Sequence, residues 1–114
     1  MLTLNAQALG PTETQIMNAV WSYNGPMTVR QVHTIIAFRG LAYTTVMTTM
    51  ERLAEKAILT RSNGRTGFGG AYHYLPALSR GALLAASIEY LCTGLRADRG
   101  DRAEALAVIL GAQQ

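Results

Sequence analysis

The chain has 114 residues, 49% of them apolar, which suits one small packed domain with at most a short appendage and excludes a disordered chain. A net charge of +3 is too small to name a partner by itself, and the single cysteine, Cys92, excludes an internal disulfide, a Cys-rich zinc pattern and a thiol pair for copper. The opening MLTLNAQALG lacks the basic start and long apolar core of a secretory signal, and the most apolar stretch, ALLAASIEYLC, is too short to span a bilayer, so the expected location is the cytoplasm, with no membrane partner.

In LGPTETQIMNAVWSYNGP, Pro11 occupies a permitted early helix position, Ile16, Met17, Val20 and Trp21 recur at helical spacing, and Asn24, Gly25 and Pro26 end the helix. A second helix is expected after Thr28, a candidate N-cap, with Val29, Val32 and Ile36 on one face and Arg30, Gln31 and Thr34 outside, stopping near Arg39 and Gly40. The tight link through Gly40 leads to a third helix from Tyr43 to Ala57, a helix, turn, helix arrangement.

The periodicity then changes. Ile58 and Leu59 start an apolar strand, glycines at 64, 67, 69 and 70 fill a turn-rich middle, and Tyr72, His73 and Tyr74 alternate before Pro76. Three helices followed by a hairpin is the order of a winged helix-turn-helix domain, over about residues 8 to 77. From Ser79, a candidate cap, the chain turns helical again; RADRGDR reads as a charged link and AEALAVILGA as a last helix. The fold class is therefore mainly α with a small β-hairpin, a winged-helix domain (1–78) followed by a helical tail (79–114).

The third helix carries an unusual surface. At about 100° per residue, Val46, Met50, Leu53 and Ala57 share one sector, the expected buried face, with Thr49 at its border. Thr44, Thr45, Thr48 and Arg52 lie opposite, with Glu55 among them. A helix face needed only for solubility favours Lys, Glu, Gln and Ala, not threonine. Short hydroxyls let a helix approach a surface closely, donate to phosphates or base edges and offer a methyl to thymine, while arginine pairs bidentately with guanine. The first turns of the second helix of a helix-turn-helix are the part that enters the major groove. The alternative is that these threonines are caps and solvated positions, with Arg52 paired to Glu51 or Glu55.

Arg61 and Arg65, in or beside the glycine-rich hairpin, are placed to reach phosphates or the minor groove, although a solvated turn explains each of them singly. Thr28, Arg30 and Tyr43, at the starts of helices two and three, complete the DNA-contact candidates. Tyr72 and Tyr74 are expected on one face of a strand, as packing residues.

The segments LGPTETQIMNAVW, MTVRQVH, LAYTTVMTTMERLAEKAIL and AYHYLPALSR resemble, in order and spacing, the BlaI/MecI family of penicillinase repressors, over about residues 9 to 80. The resemblance implies a winged-helix repressor that binds operator DNA as a homodimer joined through C-terminal helices. It also implies a recognition helix from Tyr43 to Lys56, with Thr44, Thr45, Thr48 and Arg52 facing DNA and Met47 at the edge of that face, where some members carry a basic residue. Two features depart from the pattern. Copper-sensing relatives use clustered C-terminal cysteines, which Cys92 alone cannot reproduce. Penicillinase repressors are cleaved at an asparagine-phenylalanine bond, and the tail contains neither residue, so a signalling protease or other inducer is unidentified.

In the tail, Leu83, Leu84, Ile88, Leu91 and Leu95 spread around the first helix, and Leu106, Ile109 and Leu110 stand in the apolar second one. These residues are the dimerisation candidates, because a symmetric pair would give each of two half-sites its own recognition helix. Packing back on the winged domain is the alternative. His33 and His73 have no ligand cluster near them in sequence, GRTGFGG lacks the context of a phosphate loop, and no nucleophile and base stand out. No enzyme, metal or cofactor is expected, and Cys92 reads as a small buried hydrophobe. The expected function is a homodimeric, sequence-specific repressor on a palindromic operator; the competing class is a winged-helix protein-interaction module without specific DNA binding.

Overall fold

The computed structural model describes residues 9–62 and 71–111. Its helices are α1 (Pro11–Ser22), α2 (Val29–Ile35), α3 (Tyr43–Glu55), α4 (Arg80–Leu95) and α5 (Arg99–Leu110), and its strands are β1 (Leu59–Ser62) and β2 (His73–Pro76). Together they make a winged helix with two further helices behind it.

Local chemistry accounts for most of the boundaries. Before α1, the Glu13 carboxylate accepts from the Gly10 N–H at 3.0 Å, and Pro11 occupies the first turn, where its missing donor costs nothing. Thr28 caps α2 as expected, in a reciprocal box: its hydroxyl accepts from the Gln31 N–H at 3.2 Å and the Gln31 side chain accepts from the Thr28 N–H at 2.8 Å. The α-helical part of α2 ends at Ile35, four residues before the expected stop, and a 3₁₀ turn over Ala37–Arg39 fills the difference. Gly40 (φ 70°) then turns the chain into α3 in a left-handed conformation that costs glycine no steric clash.

At the other end of α3 the expectation fails. The helix stops at Glu55, and Ala57 is exposed with φ 65° instead of lying on the buried face. Ile58 causes the break. Its N–H donates to the Leu53 carbonyl at 2.9 Å and that of Ala57 to Ala54 at 3.0 Å, the paired bonds of a Schellman cap, which drop Ile58 into the core beside Leu53.

β1 and β2 pair antiparallel, with Leu59 opposite Pro76 and Arg61 opposite Tyr74. A third segment, unforeseen, completes the sheet: Met27 exchanges both backbone hydrogen bonds with Tyr74, at 2.9 and 2.7 Å. The core joins Ile16, Met17 and Val20 of α1 to Val32, Val46, Met50, Leu53, Ile58, Leu59 and Tyr74. Lys56 and Glu13, 2.9 Å apart, clamp the end of α3 to the start of α1.

The tail is held at its root and free beyond it. Ser79 caps α4, accepting from the Ala82 N–H at 3.1 Å; the Trp21 indole donates to the Leu78 carbonyl at 2.9 Å, and Leu83 joins the core. The expected charged link is shorter than RADRGDR, because Asp98 and Asp101 cap each other reciprocally (2.9 and 3.0 Å) and start α5 at Arg99. Arg102 reaches back to Glu89 at 2.6 Å. The radius of gyration, 16.6 Å, exceeds the roughly 13 Å of a compact chain of this length, as a projecting helix pair requires.

Candidate nucleic-acid interface

The fold buries one side of α3 and bares the other. Val46, Met50 and Leu53 are fully buried, whereas Thr44, Thr45, Thr48 and Arg52 are exposed and, with Thr49, line a shallow depression of about 300 Å³. The residue at the N-cap of α3 is Ala42, and no side chain caps the helix, so the threonines are not spent as caps. The Thr49 hydroxyl donates back to the Thr45 carbonyl at 2.8 Å; among the described residues no hydrogen bond within the chain engages the hydroxyls of Thr44, Thr45 or Thr48. Arg52 makes no ion pair with Glu51 or Glu55: the described ion pairs are Lys56 with Glu13 and Arg102 with Glu89. Three hydroxyl donors, one guanidinium and the uncapped positive end of a helix dipole thus point outward together, the chemistry that phosphates and base edges accept.

The neighbouring candidates frame this face. Tyr43 is half-exposed at the first turn of α3, with the Arg30 guanidinium carbon 5.9 Å from its ring centroid and the His33 ring edge-on at 5.7 Å. His33 bonds the Leu41 carbonyl at 2.9 Å through Nε2, which must therefore carry the proton; it serves to position Tyr43, a role its sequence context did not signal. The Thr28 hydroxyl is committed to its capping box. Met47 is half-buried between the core and the open face.

On the wing, Arg61 lies 4.2 Å above the ring of Tyr72, within cation-π range, and its pKa is raised, first by hydrogen bonding to Tyr74. The expectation that Tyr72 and Tyr74 pack alike is half met. Tyr74 is buried, but Tyr72 precedes β2, is exposed, and serves Arg61 as a platform. Arg65 and the glycine-rich turn lie outside the described residues.

Of the eight tail candidates, Leu83 is committed to the core of its own chain and Ile88 is half-buried. Leu84, Leu91, Leu95, Leu106, Ile109 and Leu110 are exposed, and no residue of α5 is buried. Cys92 is buried on α4. Among the described residues no helix is long and apolar enough to cross a membrane, and no three of His, Cys, Asp and Glu stand together as metal ligands.

Comparison with known proteins adds to this geometry. A family model described as penicillinase repressor matches residues 9–112. The transcriptional regulator BlaI of Mycobacterium tuberculosis, from strains CDC 1551 / Oshkosh and ATCC 25618 / H37Rv alike, is 42% identical over 78 residues, 68% of this chain and 54% of the relative. This chain thus spans about half the length of the curated relatives it matches.

Proposed function

The chain belongs to the penicillinase repressor family, and from that premise we propose that it is a transcriptional repressor that binds operator DNA sequence-specifically as a homodimer. In this reading α3 enters the major groove of a half-site, with Thr44, Thr45, Thr48 and Arg52 against base edges and the nearest phosphates. Arg30 and Arg61 flank it on the backbone. The observation that carries the proposal is the uncovered face of α3, where, among the described residues, the hydroxyls of Thr44, Thr45 and Thr48 make no hydrogen bond within the chain and Arg52 makes no ion pair. The dimer rests on the tail: α5 is 12 residues long with no buried side chain, and a helix that short is marginal in water unless something covers it. A second copy covers it symmetrically and brings two α3 helices to a two-fold-related pair of half-sites.

Selection from a random DNA pool, followed by titration at several salt concentrations, tests this. The expected result is a palindromic site whose affinity falls steeply as salt rises, because neutralising each phosphate releases counterions. Arg52→Ala then loses about 1–3 kcal/mol and relaxes the preference for one guanine per half-site. Full retention of affinity and base preference by that variant would remove α3 from the reading. Binding that ignores salt points instead to a protein-interaction module.

A further inference from the structure

Beside the hydroxyl face, α3 turns apolar. A recess of about 490 Å³ lies between its first turns, β2 and α2, with Tyr43 and Met47 on one wall, Tyr72 on the other and Glu51 one turn further along α3. The apolar walls are fixed before any ligand arrives. Met47 packs partly against the core, His33 and Arg30 hold Tyr43, and the ring of Tyr72 lies under the Arg61 guanidinium. Little side-chain entropy is left to lose on binding.

Charge is distributed around this recess in a way that selects its occupant. Arg30 lines it on one side, and Arg61, stacked on the Tyr72 wall, stands beside it on the other; both are suited to the phosphates that border a groove. Its lining includes one carboxylate, Glu51, which repels phosphate, and is otherwise mostly apolar around Met47, Tyr43 and Tyr72, which offers a base little reward for a polar edge. In the major groove one base presents an apolar group, the 5-methyl of thymine. Resting on the DNA-binding reading above, we propose that Met47, walled by Tyr43 and Tyr72, reads the 5-methyl group of a thymine at the wing-side end of each half-site. Arg52 and the threonines would then specify the rest of the half-site, and this recess one position.

The test uses the full chain and the duplex selected from the random pool, with each thymine replaced in turn by deoxyuridine, which deletes the methyl and keeps every hydrogen bond. For the wild type, one thymine per half-site is expected to be sensitive, with affinity falling about fourfold for one half-site and about fifteenfold for both. In Met47→Gln, close in volume and checked for folding by circular dichroism, the penalty at that thymine disappears while the other positions respond as before. Tyr72→Ala, at an exposed ring, serves as the second variant and reduces the same penalty. A selected site with no thymine there, a wild type indifferent to every deoxyuridine, or a penalty unchanged in both variants overturns the inference. If Arg52→Ala still relaxes the preference for its guanine in those cases, the DNA-binding reading stands without it. A chain that binds no duplex takes both down.

Discussion

Replacing Leu106 and Ile109 by aspartate probes whether the tail is an interface. Six leucine and isoleucine side chains of α4 and α5 (Leu84, Leu91, Leu95, Leu106, Ile109, Leu110) remain 54–79% exposed. Full burial of such a side chain contributes about 1.5–3 kcal/mol, so with more than half still to be covered each has roughly 1 kcal/mol to give, and a symmetric pair of tails roughly 12 kcal/mol gross. That sum sits within the range of about 4–15 kcal/mol that association costs, so the remaining margin is narrow and every position counts. Two aspartates per chain delete four contributions, roughly 4 kcal/mol, and add carboxylates that resist burial; the dimer should dissociate about a thousandfold more readily. Sedimentation equilibrium reads this directly. The expected result is a dimeric wild type and a monomeric variant, with loss of far-ultraviolet helix signal as an uncovered α5 melts, and with Trp21 fluorescence still reporting a folded winged domain. A wild type that is monomeric at tens of micromolar with both tail helices intact would refute the reasoning, as would a variant that dimerises normally.

Ala57→Gly should stabilise the chain by about 0.5–1 kcal/mol, because alanine at φ 65° carries a left-handed penalty that glycine avoids; urea unfolding measures it, and a loss of stability would contradict the Schellman geometry. Glu13→Gln should cost stability at neutral pH and little in acid. Burial pushes the Glu13 carboxyl up, but the Gly10 N–H and the Lys56 ammonium outweigh it and lower its pKa, so its contribution is complete above the ordinary value of 4.5 and fades as pH falls through the lower folded value. Thermal melts of both proteins between neutral pH and the acid limit of folding should therefore converge on the acid side; a constant gap would place the loss in packing. Trp21→Phe removes the indole donor to the Leu78 carbonyl and should cost about 1 kcal/mol, seen as a melting point lower by several degrees.

Much of the winged helix is legible in the sequence because its signals are local. The Thr28 to Gln31 box, the three-to-four spacing of Ile16, Met17 and Val20, and the opposed sectors of α3 each need fewer than a dozen residues. The errors arise where tertiary contacts decide. Ala57 continues the 3.6-residue period and is a good helix former, so nothing nearby marks the stop; Ile58 imposes it by entering the core. Met27 joins the sheet as a single residue, too short to alternate. The reciprocal pair Asp98 and Asp101 was a readable cap, hidden in a charged run that suggested a link. In the candidate site the open hydroxyl face follows from helical periodicity alone. The recess does not, because it draws on α2, α3 and β2, which meet only once the chain has folded.

The root of the tail relates the two halves of the proposed function. Trp21, on α1, donates to Leu78; Arg80 lies 5.1 Å over the same indole and touches Asn18 at 3.5 Å; Leu83, one turn on, is in the core. These contacts fix the first turns of α4 to α1, and α1 is clamped to α3 through Lys56 and Glu13. The direction in which the tail leaves is therefore set relative to the open face of α3. If two tails associate about a two-fold axis, the separation and tilt of the two α3 helices follow from that root geometry, so half-site spacing becomes a property of these few contacts and half-site sequence a property of α3. Affinity for an isolated half-site and tolerance of altered spacing should then be separable, and a substitution at Arg80, on α4 and not on α3, is expected to change the second and leave the first, a result that gel-shift titration of half-sites and respaced sites would check.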